Sequence, residues 1–450
     1  DEYALAESAN QVVVAQEGAL SRLDIKKDEQ EAKKVDLDSL TARRVRAAEY
    51  AQIFDEVWRR YRDHFYVRNM HGYDWAALRD RYRPLLRYVA HRADLNYLIG
   101  EMIAELNVGH AYITGGDIAT TERSSDALLG TTFELDGSAG LYRIGTIYAG
   151  QNEEDKYRSP LTEPGINAGA GDYVLAINGR ALTADINPYS LLKGQGGRLL
   201  ELTLADDARG KDRRTVLVNP IASENGLLYL KWVGRNRDYV ARQTDGKVGY
   251  LHLPDMGEAG IYEFTKWFYG QVRKQGMIID VRGNGGGNVS QMVINRLARS
   301  LVFMGYDRGI DNLDTYPNIV FTGPMVALLD EDSASDGDIF PAAFQALELG
   351  PLIGKRSWGG IIGITNLGPL MDGGTVYVPQ FATASASGEW AIEGVGVAPD
   401  IEVDNPPEAV LRGEDAQLDR AIQETLQRLQ TQPGTLPPRP ADPVKTPGNL

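Results

Sequence analysis

The chain contains no cysteine. That excludes a disulfide framework, a thiol nucleophile and any thiolate metal site. Histidine is scarce as well: His64, His71, His91, His110 and His252 are the whole set in 450 residues. No two of them have the i, i+4 spacing of a helical zinc pair. No metal or cofactor is therefore expected, and a histidine base must come from these five. Basic charge is outweighed, 47 Lys and Arg against 62 Asp and Glu, for a net of −15. Such a balance does not suit a nucleic-acid backbone, and the local run Arg209, Lys211, Arg213 and Arg214 reads as an exposed loop. No apolar run approaches the roughly 20 residues that span a bilayer, so no membrane partner is expected. The start at Asp1, with neither an initiator Met nor a signal-peptide pattern, reads as a fragment or mature piece of something longer.

What is present is an ordinary folded composition, 43% hydrophobic and 24% charged, long enough for roughly two to four domains. Residues 1–39 read as a hairpin: strand Gln11 to Ala15, turn Glu17-Gly18, strand Leu20 to Ile25. A lone hairpin is marginal, so it reads as the closing strands of an upstream β-domain. Residues 40–118 read as a helical domain ending at Asn107-Val108-Gly109-His110, with Asp38-Ser39 as caps and apolar residues from Val45 to Tyr61 near a 3.6 period. Residues 119–220 read as a small β module in which strand Tyr173 to Ile177 ends in an Asn178-Gly179 hairpin turn. Its phrase Gly171-Asp172-Tyr173-Val174-Leu175-Ala176-Ile177-Asn178-Gly179 resembles a PDZ domain, which captures peptide ends by strand addition. Residues 221–428 alternate strands and helices, as α/β sandwiches do, and residues 429–450 are a Pro-rich tail without a core. The fold class expected is multidomain α/β: a helical bundle, a PDZ-like β module and an α/β sandwich.

Four separate pieces offer what acyl transfer needs. Ser335 follows the strand Pro324 to Leu329 and precedes a helical stretch, a place where a hydroxyl can be displayed beside free helix amides. An N-terminal capping box of Ser335 with Asp338 is the alternative. The run Gly285-Gly286-Gly287 lets backbone amides approach a ligand, so it can supply half of an oxyanion hole with the Asp336 amide as the other half. Tight-turn duty alone is its other reading. His110 is the candidate base, or a structural histidine. Glu393, in Trp390-Ala391-Ile392-Glu393-Gly394-Val395-Gly396, can orient an imidazole or sit in a surface turn.

Together the phrases Arg282-x-Asn284-Gly285-Gly286-Gly287, Ser335-Asp336-Gly337-Asp338-Ile339-Phe340, Trp358-Gly359-Gly360 and Glu393-x-x-Gly396-Val397-x-Pro399-Asp400 resemble the tricorn protease family. They are similar more broadly to the tail-specific, C-terminal processing proteases. The resemblance spans residues 40–425. It implies Ser335 as nucleophile, His110 as general base, Glu393 as its orienting carboxylate, and Gly287 and Asp336 as the oxyanion hole. It also implies that Asp307, in Gly305-Tyr306-Asp307, selects basic side chains from a neighbouring subunit. A hexamer, peptide substrates, an upstream β-propeller ending in the N-terminal hairpin and a cytoplasmic setting are implied as well, with the periplasm as the alternative where a signal peptide has been removed. Two departures stand out: Gly109 occupies the place of a serine that precedes the family's histidine, and Gly360 occupies the place of the lysine in a Ser/Lys dyad. The reading is a serine endopeptidase; a non-catalytic PDZ scaffold and a Ser/Lys protease using Lys355 are the alternatives.

Overall fold

The computed structural model describes residues 2–7, 10–16, 19–25, 32–37, 40–41, 43–121 and 123–445, with the side chains of 311–313 left aside. The turn expected at Glu17-Gly18 and the caps expected at Asp38-Ser39 lie outside these residues. At the N-terminus the structure has more than a hairpin. Strands Glu2–Leu5, Gln11–Gln16, Ala19–Asp24 and Lys33–Lys34 form an antiparallel sheet in chain order. None of their residues is fully buried.

Helix Arg46–His64 buries Tyr50, Ile53, Phe54, Val57, Trp58 and Tyr61, one stripe at helical spacing. Helix Trp75–Tyr82 starts at Asp74, whose side chain accepts the Ala77 amide at 2.9 Å. Helix Arg92–Ala104 is closed by a capping box of His91 and Asp94. Their shared core also takes in Leu370, Val376 and Val378. Those residues belong to the far end of the sequence, around strand Thr375–Phe381. Just past His110 the chain runs as strand Tyr112–Thr114, antiparallel to Thr375–Phe381, with Ile113 opposite Val376. A three-residue strand carries too little pattern to be read in advance.

The PDZ-like module is an antiparallel sheet ordered Arg214–Val218, Leu200–Ala205, Tyr173–Ile177, Leu141–Ile147, Thr131–Asp136. Asn178 and Gly179 take φ of 50° and 73°, the two left-handed positions that a two-residue hairpin turn needs.

The α/β part is a parallel sheet whose strands follow chain order: Val248–His252, Gly276–Asp280, Met325–Leu329, Leu352–Gly354, Ile401–Glu402. Period-two alternation sends Met277, Ile279, Met325, Ala327 and Leu329 to one face, against Phe264, Phe268, Val293, Phe340 and Phe344. Ile278, Val326 and Leu328 face Val233, Val240, Leu418 and Ile422 on the other side. Both faces are covered, which is why these strands read as unbroken apolar runs. The layers place the carboxyl ends of the strands, and the turns that follow them, at one edge of the sheet.

Candidate active site

Strand Met325–Leu329 leads into residues 330–335 and then helix Asp336–Ala346. Ser333 anchors this turn: its hydroxyl donates to the Val281 carbonyl at 2.8 Å and accepts the Asp330 amide at 3.1 Å. The Ala334 amide donates to the Asn284 carbonyl at 2.8 Å. Held at that point, Ser335 takes φ 59° and ψ −122°, a conformation that costs an L residue about 1–3 kcal/mol and persists only where its surroundings impose it. The capping alternative fails, since the Ser335 side chain makes no cap hydrogen bond. Asp338 instead accepts the Gly359 amide at 2.8 Å.

The glycine run lies against this serine. Asn284, fully buried, donates to the Leu253 carbonyl at 2.9 Å and accepts the Gly286 amide at 3.0 Å. Gly286 has φ 99°, and a Cβ there would stand 2.6 Å from Ser335 Cβ and 3.0 Å from the Asp336 nitrogen. Gly287, at φ 152°, would drive a side chain into the Met256 carbonyl. Among the described residues the Gly287 and Asp336 amides donate to no acceptor. The Asp336 carboxylate is engaged elsewhere, accepting the Ser290 amide at 2.9 Å and the Ser290 hydroxyl. Arg282 stiffens the base of the run through a buried ion pair with Asp280 at 2.7 Å and a second with Asp415 at 2.9 Å.

His110 is half-buried, its ring edge-on to Trp358 at 5.1 Å and to Tyr112 at 5.9 Å. Its Nδ1 is buried with no hydrogen-bond partner. Burial lowers its pKa below the ordinary 6.5, while the charges of Glu393 and then Asp338 push it back up. Both Glu393 oxygens hold backbone: Oε1 accepts the Gly109 amide at 2.9 Å, Oε2 the Ile361 and Ile362 amides at 2.7 and 3.1 Å. Glu393 thereby ties the segment carrying His110 to residues 358–362. The Trp358 amide donates to the Ser333 carbonyl at 3.0 Å, which ties those residues to the serine turn. Ser335 and His110 share no hydrogen bond in this state; Trp358 and Asp338 connect their surroundings. At Gly109 a Cβ would lie 3.0 Å from the Trp358 ring and 3.2 Å from the Gly360 Cα, so this packing is built for a bare backbone.

Ser335, the glycine run, Asp336, His110 and Glu393 are thus gathered in one region from four stretches of sequence. Asp307 is not. Its carboxylate accepts the Gly309 amide at 3.1 Å in a hairpin tip, and its carbonyl accepts from Arg439 of the tail at 3.0 Å. Among the described residues it touches nothing of the serine turn. Lys355 bonds Glu402 at 2.9 Å, and that bond raises its pKa, so it stays charged and is unsuited to act as a base. Sequence reasoning missed Asp338 as more than a cap and Tyr112 as a neighbour of the histidine. No group of three or more His, Asp or Glu among the described residues is placed to hold a metal ion, and no described helix is long and apolar enough to cross a membrane.

Comparison with known proteins adds the family. Residues 247–403 match peptidase family S41, residues 46–104 the tricorn protease C1 domain and residues 127–223 the tricorn protease PDZ domain. Tricorn protease homolog 1 of Streptomyces coelicolor is 39% identical over 394 residues, 87% of this chain and 36% of that protein. Tricorn protease of Thermoplasma acidophilum is 34% identical over 396 residues, 87% of this chain and 36% of that protein. A crystal structure of the tricorn protease superposes with a TM-score of 0.85 at 32% identity, covering 95% of this chain and 41% of that one. The chain spans only 36% of the length of the two relatives described. By its three matched domains and their order, the chain belongs to the tricorn proteases, within the serine-type peptidases of family S41.

Proposed function

We propose that this chain is the catalytic portion of a serine endopeptidase that hydrolyses short or unfolded peptides. The Ser335 hydroxyl attacks the scissile carbonyl as His110 takes its proton. The resulting oxyanion lies between the Gly287 and Asp336 amides, and collapse expels the amine, to which His110 returns the proton. Water, activated by the same imidazole, then hydrolyses the acyl-enzyme. Glu393 holds the histidine-bearing segment and favours the imidazolium. The observation that carries this reading is the left-handed, uncapped Ser335 lying against Gly286, with two unused amides beside it. Losing one such donor typically costs about 100- to 1000-fold in rate.

Closing the space between His110 and Ser335 on substrate binding completes the set, since catalytic hydrogen bonds commonly tighten only in the complex. Asp307 selects basic side chains from a neighbouring copy in a homo-oligomer, a hexamer by the resemblance, working in the cytoplasm. The test compares the protein with Ser335→Ala and His110→Ala on fluorogenic peptides bearing Lys or Arg. Turnover is expected to fall at least about 1000-fold in both variants, with a serine-directed phosphonate labelling Ser335 stoichiometrically. Undiminished turnover in either variant rejects the assignment, and absent labelling with intact peptide binding leaves a non-catalytic scaffold.

A further inference from the structure

The catalytic set proposed above lacks a group at the place of the serine that Gly109 replaces, and Glu393 has three backbone amides on its two oxygens. A second carboxylate stands close by. Asp338 lies in the first turn of the helix that begins after Ser335, and it is fully buried. One of its oxygens accepts the Gly359 amide at 2.8 Å; the other, Oδ2, is buried with no hydrogen-bond partner. The Nδ1 of His110 is also buried without a partner. The segment that Asp338 moors carries Trp358, whose ring packs edge-on to the His110 ring at 5.1 Å. Asp338 and His110, each with an orphaned buried atom, thus both contact the Trp358-Gly359 stretch, in a part of the molecule where unpaired polar atoms are costly.

We propose that Asp338 is a positioning residue for His110, a second carboxylate that stabilises the imidazolium formed when Ser335 is deprotonated and holds the Trp358 wall against the ring. The inference rests on the serine-peptidase reading. A buried carboxylate is destabilising unless it is paired, and burial does raise the Asp338 pKa. A carboxyl placed there for structure alone has no need of a charge, because an amide would bind the Gly359 N–H as well. For catalysis the charge matters. The titratable groups facing His110 are Glu393, Asp338 and Tyr112; Glu393 has the larger effect, and Asp338 adds to it in the same direction.

The experiment is the pH profile of kcat/KM for Asp338→Asn, which keeps the shape and the acceptor for Gly359 but removes the charge. The acid limb is expected to move to lower pH by roughly half a unit or more. In the same variant kcat is expected to fall roughly tenfold or more, with KM little changed. Asp338→Glu restores the charge and is expected to return the limb toward its original place. An unmoved limb in Asp338→Asn overturns the proposal, as does a limb in Asp338→Glu that stays with the amide variant. If Asp338→Asn does not fold, the Glu variant alone decides: its limb must stay within about 0.3 units of the unaltered enzyme, and a shift to the lower value of Glu393→Gln rejects the role. Phosphonate labelling of Ser335 in the unaltered protein is the separating control. Labelled, active enzyme with an unmoved limb refutes only the Asp338 role, whereas unlabelled, inactive enzyme refutes the serine reading itself.

Discussion

Ser335 keeps a left-handed backbone because its neighbours leave it no other path. Ser333 and Ala334 are tied to the preceding strand end and the glycine run, and the helix begins at once behind it. The same closeness makes Gly286 intolerant. Gly286→Ala would place a methyl 2.6 Å from Ser335 Cβ at a φ of 99°, so activity should drop by two orders of magnitude or more, roughly the loss of an oxyanion donor. Circular dichroism should show the fold retained; wild-type kcat/KM in that variant would separate the glycine run from the chemistry. Burial lowers the His110 pKa, and the base must be neutral to act, so kcat/KM should rise with pH through a midpoint below the ordinary 6.5. A pH–rate profile with its acid midpoint at or above that value would contradict the buried ring.

The serine and the histidine were legible as candidates because a hydroxyl between strand and helix, and one of only five histidines, are short lists. Asp338 was legible only as a cap, since residue spacing along a helix reports local bonds and cannot report Gly359, 21 positions away.

Among the elements, the short strand Tyr112–Thr114 has an importance out of proportion to its length. It clips the end of the helical bundle to Thr375–Phe381, two residues after His110. Ile113→Asp would put a charge where this strand packs on the helical core. Turnover should fall at least tenfold, an order-of-magnitude figure for misplacing a catalytic base, while phosphonate labelling of Ser335 slows in parallel. Unchanged turnover would show that the histidine is positioned by Glu393 alone. The apolar run from Val45 to Tyr61 appears as helix Arg46–His64 and the run from Pro324 to Leu329 as strand Met325–Leu329, whereas helices Asn225–Gln243 and Ala416–Leu429 were not individually expected. The clip was not readable, and neither were the extra N-terminal strands, because two- to four-residue strands hold too few positions for any period to show.

For the whole molecule, the joint between the helical bundle and the α/β part rests on a buried ion pair. Arg92 and Asp372 have side-chain exposures of 0% and 1% and approach to 2.5 Å. Arg92→Ala would strand Asp372 as an unpaired buried charge and should cost about 3–5 kcal/mol in chemical denaturation. A loss under about 1 kcal/mol would mean that water reaches the carboxylate. Stability should also depend on pH through His252, which is buried with Nε2 against the Arg282 carbonyl at 2.9 Å. Burial lowers its pKa, so below the ordinary 6.5 the unfolded chain binds a proton that the folded one resists. Stability from this group is complete above that pH and lost as pH falls, at no more than about 1.4 kcal/mol per unit. Replacing His252 with Gln should flatten the stability curve between about pH 5 and 6.5, as followed by urea denaturation. An unchanged slope would show that this histidine is already protonated in the fold.

What the amino-acid order determined alone were the local matters: which stretches coil or extend, where glycine permits a turn, and which hydroxyl stands at a strand-to-helix junction. These depend on neighbours within a few positions. Tertiary structure decided which groups meet: Gly286 against Ser335, Glu393 on the Gly109 amide, Asp338 on the Gly359 amide, Trp358 against His110. Those contacts join positions far apart in the chain, and their energies come from burial and packing that exist only after the layers have closed.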